Sequence, residues 1–313
     1  MNIQVEHIDT SGALHNRSFR ISRTALAKHM AIAGQGYAPK VHKLIKTVGM
    51  YFHYTKYIQK KQFYEDKFSE PPVPLSDPTE KAQFSNLAGK AIADFLSKRI
   101  DNSLYTVNYE AAMKINGHLI KGMRPDLIAY SPTAMFALEA KGRHHKTCGN
   151  MSKHKKQAKS GPISVNFSVA CVSYNMFNKI TCKYRDPFNQ DVRYDNRGLQ
   201  ALTKKYYKGL SEFLNPQYFD YREFSLQGEE FYEVELFSKS LEKFFPDEQP
   251  FRRFKYELFD FIRPCLILPK KIFEYAEKGI NNETTPFIFE NESENNYLYI
   301  DNDRIGLRAL PVF

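Results

Sequence analysis

A chain of 313 residues exceeds what one hydrophobic core usually organises, so a central domain of roughly 100 to 150 residues with flanking modules is expected. Aromatic residues are plentiful (20 Tyr, 25 Phe, no Trp), yet no apolar run approaches the roughly 20 residues that span a bilayer, which argues against a membrane partner. The formal charge of +10 is segregated: Thr10 to Tyr64 holds ten Lys and Arg and no acid, Lys141 to Ser160 seven and no acid, and residues 226 to 313 carry 17 acids against 11 bases. Two acid-free tracts point to a polyanionic partner, since solubility alone does not require them.

The compartment expected is the cytoplasm. Met1 to Glu6 places an acid where a signal peptide needs a basic start and an apolar core. Cys148, Cys171, Cys182 and Cys265 are widely spaced, which fits neither a disulfide framework nor a C-x-x-C zinc knuckle. His144, His145, Cys148 and His154 lie close in sequence without a recognised zinc-ligand spacing, so solvated or phosphate-facing histidines are the simpler expectation.

Along the chain, Ile3, Val5 and Ile8 suggest a short first strand. Ser22 offers an N-cap for a helix through Met30 or Ala33 that Gly34-Gln35-Gly36 ends, and Pro39 can open a second helix to about Lys61. Basic residues of this segment, Lys43 and Lys46 among them, are candidate nucleic-acid contacts. Tyr37, Tyr51, Phe52, Tyr54 and Tyr57 interleave with them as base-stacking residues would, although helical spacing also suits a core. Four prolines between Ser69 and Pro78 mark a boundary, giving a basic helical module over 1–75.

Asp77 or Thr79 then caps a helix from about Glu80 to Lys98 that buries Phe84, Leu87, Ala91 and Phe95. Glu80 lies on the Phe84 side, either as a partner of the helix dipole or as a carboxylate aimed inward. Alternation predicts a strand over Leu104–Ile115, a hairpin at Asn116-Gly117, and a return strand through Leu119, Ile120 and Met123 to Pro125-Asp126. A strict register would set Asp126 on the side of Val107, and Gly122 and Pro125 suggest a bulge that re-aims it.

After Ser131-Pro132-Thr133 comes Phe136-Ala137-Leu138-Glu139-Ala140-Lys141-Gly142, a strand whose alternation puts Glu139 and Lys141 on one face and Phe136, Leu138 and Ala140 on the other. Asp126, Glu139 and Lys141 together suit a hard divalent cation, Mg²⁺ or Mn²⁺, and a phosphodiester: the acids ligate and the ammonium orients water or offsets developing charge. A basic helix from Ser152 to Lys159, carrying Gln157, stops at Gly161-Pro162. Ile163 to Cys171 alternates as a half-buried strand. Arg124, Arg143, Lys153 and Lys156 surround this stretch as candidate backbone contacts.

Beyond Asp186-Pro187 the pattern suggests helices over Leu199–Leu214, Phe231–Phe245 and Phe251–Arg263, the last ended by Pro264, and a hairpin of Tyr297–Ile300 and Ile305–Arg308 about Asp301-Asn302-Asp303. That turn lacks the distal acid of an EF-hand loop. The fold class expected is α/β, an α+β mixed sheet flanked by helices, with residues 186–313 mostly helical and acidic.

The stretch from Glu80 to Cys171 resembles the PD-(D/E)xK nuclease superfamily, the restriction-endonuclease-like fold, through Pro125-Asp126, Glu139-Ala140-Lys141, Gln157 and the order α-β-β-β-α-β. The resemblance covers about a third of the chain and implies a nuclease core over 76–185 with helix-rich additions on both sides. It further implies metal-activated hydrolysis of phosphodiesters, DNA ahead of RNA. Asp126, Glu139 and the Ala140 carbonyl would hold the metal, Glu80 would complete the acidic site, Lys141 would position the nucleophile, and Gln157 would support Lys141 or touch phosphate. A homodimer would be needed to cut both strands at once, and the acidic C-terminal part could bind a regulatory protein partner. Extra domains suit a bacterial or phage-borne defence role, by analogy at the level of fold. The competing expectation is a nucleic-acid-binding protein of the same fold that does not cut.

Overall fold

The computed structural model describes residues 1–34, 55–58, 60–70, 77–185, 196–236, 264–280, 285–293 and 296–309. Among them it forms an α/β protein with two sheets and seven α-helices. The chain opens with β1 (Asn2–Ile8) and β2 (Leu14–Arg20), a hairpin whose turn is closed by Asp9 accepting from the backbone of Ser11 and Ala13. Helix α1 (Arg23–Ile32) follows, with Ser22 capping it by accepting from the Ala25 amide, as expected. A 3₁₀ turn at Thr55–Ile58 and α2 (Lys60–Tyr64) are the described parts of the second helix expected from Pro39 to Lys61. Lys43, Lys46, Tyr37, Tyr51, Phe52 and Tyr54 lie outside the described residues, as does most of the proline-rich stretch.

Asp77 caps α3 (Pro78–Ile100), which carries proline at its first position and buries Phe84, Ala88, Ala91 and Phe95. Strand β3 (Tyr105–Asn108) is a third of the length expected. Asn108 accepts from the Ala111 amide, and the chain turns into helix α4 (Tyr109–Ile115). Tyr109, Ala112 and Met113 are buried at helical spacing, so the apolar positions that fit a period of two are read by the fold at 3.6. Asn116 therefore ends a helix, and Leu119, Ile120 and Met123 lie on an exposed loop in place of a return strand.

Then come β4 (Leu127–Tyr130), β5 (Met135–Gly142), α5 (Met151–Ala158), β6 (Phe167–Tyr174) and β7 (Thr181–Arg185). The first sheet runs β2-β1-β7-β6-β5-β4-β3. Strands β3, β4 and β5 are antiparallel neighbours, β5 and β6 are parallel, and β1 joins β7 in parallel. The N-terminal hairpin thus extends the sheet that carries β3 to β6, and the first 75 residues are not purely helical. Helix α3 lies so close to the end of β5 that a Cβ on Gly142 would stand 1.6 Å from the Ser85 carbonyl oxygen and one on Gly89 2.3 Å from the Gly142 amide nitrogen. Only paired glycines allow that backbone contact.

The C-terminal part is less helical than expected. Helix α6 (Asn196–Ser211) and the turn Glu212–Leu214 match the expected helix, but Phe231 begins no helix: β8 (Tyr221–Leu226) pairs with β9 (Glu229–Glu235). Pro264 opens β10 (Pro264–Pro269), followed by α7 (Ile272–Lys278), β11 (Phe289–Ser293), β12 (Asn296–Ile300) and β13 (Gly306–Ala309). The helix expected over Phe251–Arg263 lies outside the described residues. The second sheet runs β11-β12-β13-β10-β9-β8, with the expected terminal hairpin in register Ile300 with Gly306. No helix of the described residues is long and apolar enough to cross a membrane.

The turn Asp301-Asn302-Asp303 is buried, not a surface loop. Lys28 of α1 places its Nζ 2.8 Å from both Asp301 and Asp303, and Lys98 of α3 reaches the same acids at 2.8 and 2.9 Å. Tyr206 of α6 donates to Asp303 at 2.7 Å, and His29 stands 2.6 Å from Asp94. Burial opposes the charge on Asp301, but Lys28, Lys98 and His29 outweigh it and hold its carboxyl below the usual range. Removing one member leaves the others as uncompensated buried charge. Lys98→Met is expected to lower unfolding stability by about 3 to 5 kcal/mol in urea titration, and a loss below about 1 kcal/mol would remove the cluster as the clamp between sheets.

Candidate active site

Strand β4 pairs with β5 so that Leu127 faces Leu138, and one further step sets Asp126 opposite Glu139. Cross-strand neighbours share a face, so Asp126 lies with Ala137, Glu139 and Lys141. That face is also the one that carries Val107, which pairs with Ile128. The strict register therefore delivers the acid without the bulge that Gly122 and Pro125 suggested. The opposite face, bearing Leu138, Ala140 and Gly142, packs on α3.

Several bonds fix the segment. Gln157 of α5 donates to the Arg124 carbonyl at 3.0 Å, the Tyr109 amide donates to the Asp126 carbonyl at 3.1 Å, and the Ala140 amide donates to Asp126 Oδ2 at 3.1 Å. Since the N–H and C=O of one strand residue leave the same edge, the Ala140 carbonyl also points to the Asp126 side of β5. Lys141 Nζ stands 3.1 Å from Asp126 Oδ2 and 2.7 Å from Glu139 Oε1. Glu139 is fully buried, whereas the Asp126 and Lys141 side chains keep 28% and 27% of their exposure, which leaves one side of the group open.

The electrostatics are unusual in direction. Burial, and then the neighbouring Asp126 charge, push the Glu139 carboxyl up to about 8 against the pull of Lys141. Neither Glu139 oxygen has a hydrogen-bond partner of good geometry among the described residues. Burial works against the Lys141 charge, but Asp126 and Glu139 outweigh it and its pKa rises. A buried carboxyl in contact with the Lys141 ammonium, beside a second carboxylate and a carbonyl, is a donor set that fits a hard cation. Among the described residues no group of three or more His, Cys, Asp or Glu is placed to hold one, and the acids brought together here are Asp126 and Glu139.

Glu80 is not the third. It lies in the first turn of α3, and its carboxylate accepts from Tyr57 Oη, whose ring stacks on Phe84 with centroids 3.9 Å apart. Gln157 is half-buried, and its side-chain amide donates to the Arg124 carbonyl. It holds the strand entry instead.

Helix α5 covers the same face of the sheet, packing Met151 and Ala158 on Ala170 and Val172, the β6 neighbours of Glu139 and Lys141. His154 turns inward between them, and Arg143 donates to its Nε2 at 3.1 Å. Burial, then Arg143 and Lys141, hold this histidine below its usual pKa, so it is neutral at neutral pH. Helical spacing from Met151 and to Ala158 was the signal for its inward position. Lys153 and Lys156 point outward, while Arg124 is engaged by Glu110 of α4 at 2.9 Å. Beside Lys141 opens a pocket lined by Ala82, Asn86, Lys141, Gly142, Arg143, His144 and His145, with no acid in its wall. It suits an anion.

No family model, curated protein or solved structure matches the chain.

The raised Glu139 pKa has a sign that can be checked. The folded state holds the proton to about pH 8, the unfolded state loses it above its ordinary 4.5, and stability falls as pH rises between the two. In EDTA, Glu139→Gln is expected to raise Tm relative to wild type at pH 9 and to lose that advantage towards pH 5. A difference independent of pH would contradict the assignment of a buried, protonated Glu139.

Proposed function

We propose that the chain is a metal-dependent nuclease of the PD-(D/E)xK superfamily, hydrolysing phosphodiester bonds with DNA as the expected substrate. The observation that carries this reading is the opposition of Asp126 and Glu139 across β4 and β5 with Lys141 within 3.1 Å of both. The element order α3-β3-α4-β4-β5-α5-β6, which departs from the family order by the inserted α4, supports it through the parallel pairing of β5 and β6, as does the acid-free pocket beside Lys141.

Asp126, Glu139 and the Ala140 carbonyl are the groups that would hold Mg²⁺ or Mn²⁺. Such a cation supplies a nucleophilic hydroxide at neutral pH and Lewis-acid stabilisation of phosphoryl oxygens. Lys141, held by both acids and partly exposed, orients the attacking water and offsets the charge that develops on the phosphoryl group. Arg143, His144 and His145 seat a phosphate beside it. Lys153 and Lys156 on the outer face of α5 meet the continuing backbone and make binding salt-dependent. Gln157 and Tyr109 act indirectly, by fixing the Arg124-Pro125-Asp126 segment so that the carboxylate needs no reorganisation. His154, neutral and bonded to Arg143, holds that guanidinium beside the pocket.

Incubation of the purified chain with plasmid and with RNA, in millimolar Mg²⁺ or Mn²⁺ and with an EDTA control, tests the reading. Asp126→Ala and Lys141→Ala are each expected to reduce cleavage at least about a hundredfold while circular dichroism stays native. Undiminished cutting by Lys141→Ala would remove that residue from the mechanism. Binding without cutting by the wild type would replace the nuclease with a non-catalytic nucleic-acid-binding protein.

A further inference from the structure

The loop between α4 and β4 exposes three large apolar side chains within five residues: Leu119 keeps 74% of its surface in solvent, Ile120 37% and Met123 49%. Nothing in the catalytic reading uses them. The loop is nevertheless anchored at both ends. The His118 amide donates to the Met113 carbonyl at 2.9 Å, and Arg124, paired with Glu110 of α4, donates to the Gly122 carbonyl at 2.9 Å. Gly117 and Gly122, with φ of +73° and +74°, bracket Leu119 and Ile120, with Met123 directly after, and no atom lies within 4 Å of where a Cβ would stand on either glycine. The tip therefore projects from a fixed base.

Its surroundings define what it can enter. From Lys114 to Arg124 the chain carries Lys114, Lys121 and Arg124 and no acid. Through the Gln157 bond to the Arg124 carbonyl, the loop base lies against α5, which presents Lys153 and Lys156 outward. Met123 is three residues from Asp126, a chain span of at most about 11 Å. An apolar prow among cations, next to a phosphodiester site, is complementary to a ligand that is anionic outside and apolar within. Stacked base pairs between phosphate backbones have that character, and Leu, Ile and Met are side chains that proteins insert between base steps.

The geometry points to a base-step wedge: Leu119, Ile120 and Met123 enter a nucleic-acid duplex between neighbouring base pairs, adjacent to the phosphodiester at Asp126 and Glu139. The ligand class rests on the nuclease reading above. Because parting a stacked step is costly, the wedge selects duplexes in which a mismatch, nick or branch has already weakened one.

Duplex oligonucleotides carrying 2-aminopurine beside a mismatch, or in a fully matched context, test this in EDTA, and the same duplexes are then followed for cleavage in Mg²⁺. Wild type is expected to raise the fluorescence several-fold, more at the mismatch. The triple variant Leu119→Ser, Ile120→Ser, Met123→Ser should abolish the rise while its affinity falls less than about tenfold, because the phosphate contacts persist. Leu119→Ser alone, at the most exposed of the three, should reduce the rise and serves if the triple variant does not fold. Duplex binding without a fluorescence change, a rise that survives the triple substitution, absence of duplex binding, or preferential binding to anionic phospholipid vesicles would each overturn the wedge. A rise without cleavage in Mg²⁺ leaves the wedge standing and ends the nuclease reading, whereas cleavage without a rise does the reverse.

Discussion

Everything at the site depends on the pairing of Leu127 with Leu138, which sets Asp126 opposite Glu139. A slip of one residue would exchange the two faces of β5, turning Glu139 and Lys141 toward α3. That face has no room for them, since even a Cβ on Gly142 would collide with the Ser85 carbonyl. Helix α3 thus enforces the register from behind, and the site in front inherits it. The same constraint buries Glu139 while leaving Asp126 and Lys141 partly open. A buried carboxyl whose nearest partners are the Lys141 ammonium and a second acid is costly to ionise, and its pKa rises accordingly.

A second constraint shapes how the charge of the chain is read. The basic N-terminal tract and the acidic C-terminal part are partners of each other: Lys28 is buried against Asp301 and Asp303, and Arg20 meets Glu292 at 3.0 Å. Part of the segregation seen in the sequence is therefore internal neutralisation, set up by the docking of β12 and β13 onto α1 and α3. The second acid-free tract is different in kind. Its Lys153 and Lys156 face outward on a helix laid over the site, so among the described residues a cationic surface lies at α5 and the loop before Asp126.

Much of this was legible from local chemistry. Ser22 and Asp77 capped the helices expected of them, Asn150 opened α5 close to the expected Ser152, and alternation alone set Glu139 and Lys141 on one face. Where the pattern admitted two periods, the reading failed: Tyr109, Ala111, Met113 and Ile115 fit a strand, and the Asn108 cap tipped them into α4. Strand β2 was missed because an exposed edge strand, Leu-His-Asn-Arg-Ser-Phe-Arg, carries little apolar alternation. Phe231 sits at 0% exposure in a sheet core that spacing cannot tell from a helix. At the site, Asp126, Glu139 and Lys141 come together as the residue types implied. Glu80 does not join them, because its place in the first turn of α3 puts it beside Tyr57, a contact across sequence that no local pattern encodes.

The proposed divalent-cation site rests on the burial of Glu139 against Asp126. Calorimetric titration of Mn²⁺ into the purified chain at pH 7, in two buffers of different ionisation enthalpy, tests it most directly. With Glu139 pushed up to about 8, saturable binding should release about one proton per ion and should vanish in Asp126→Ala. Absence of binding, or binding that Asp126→Ala and Glu139→Gln leave unchanged, would contradict it.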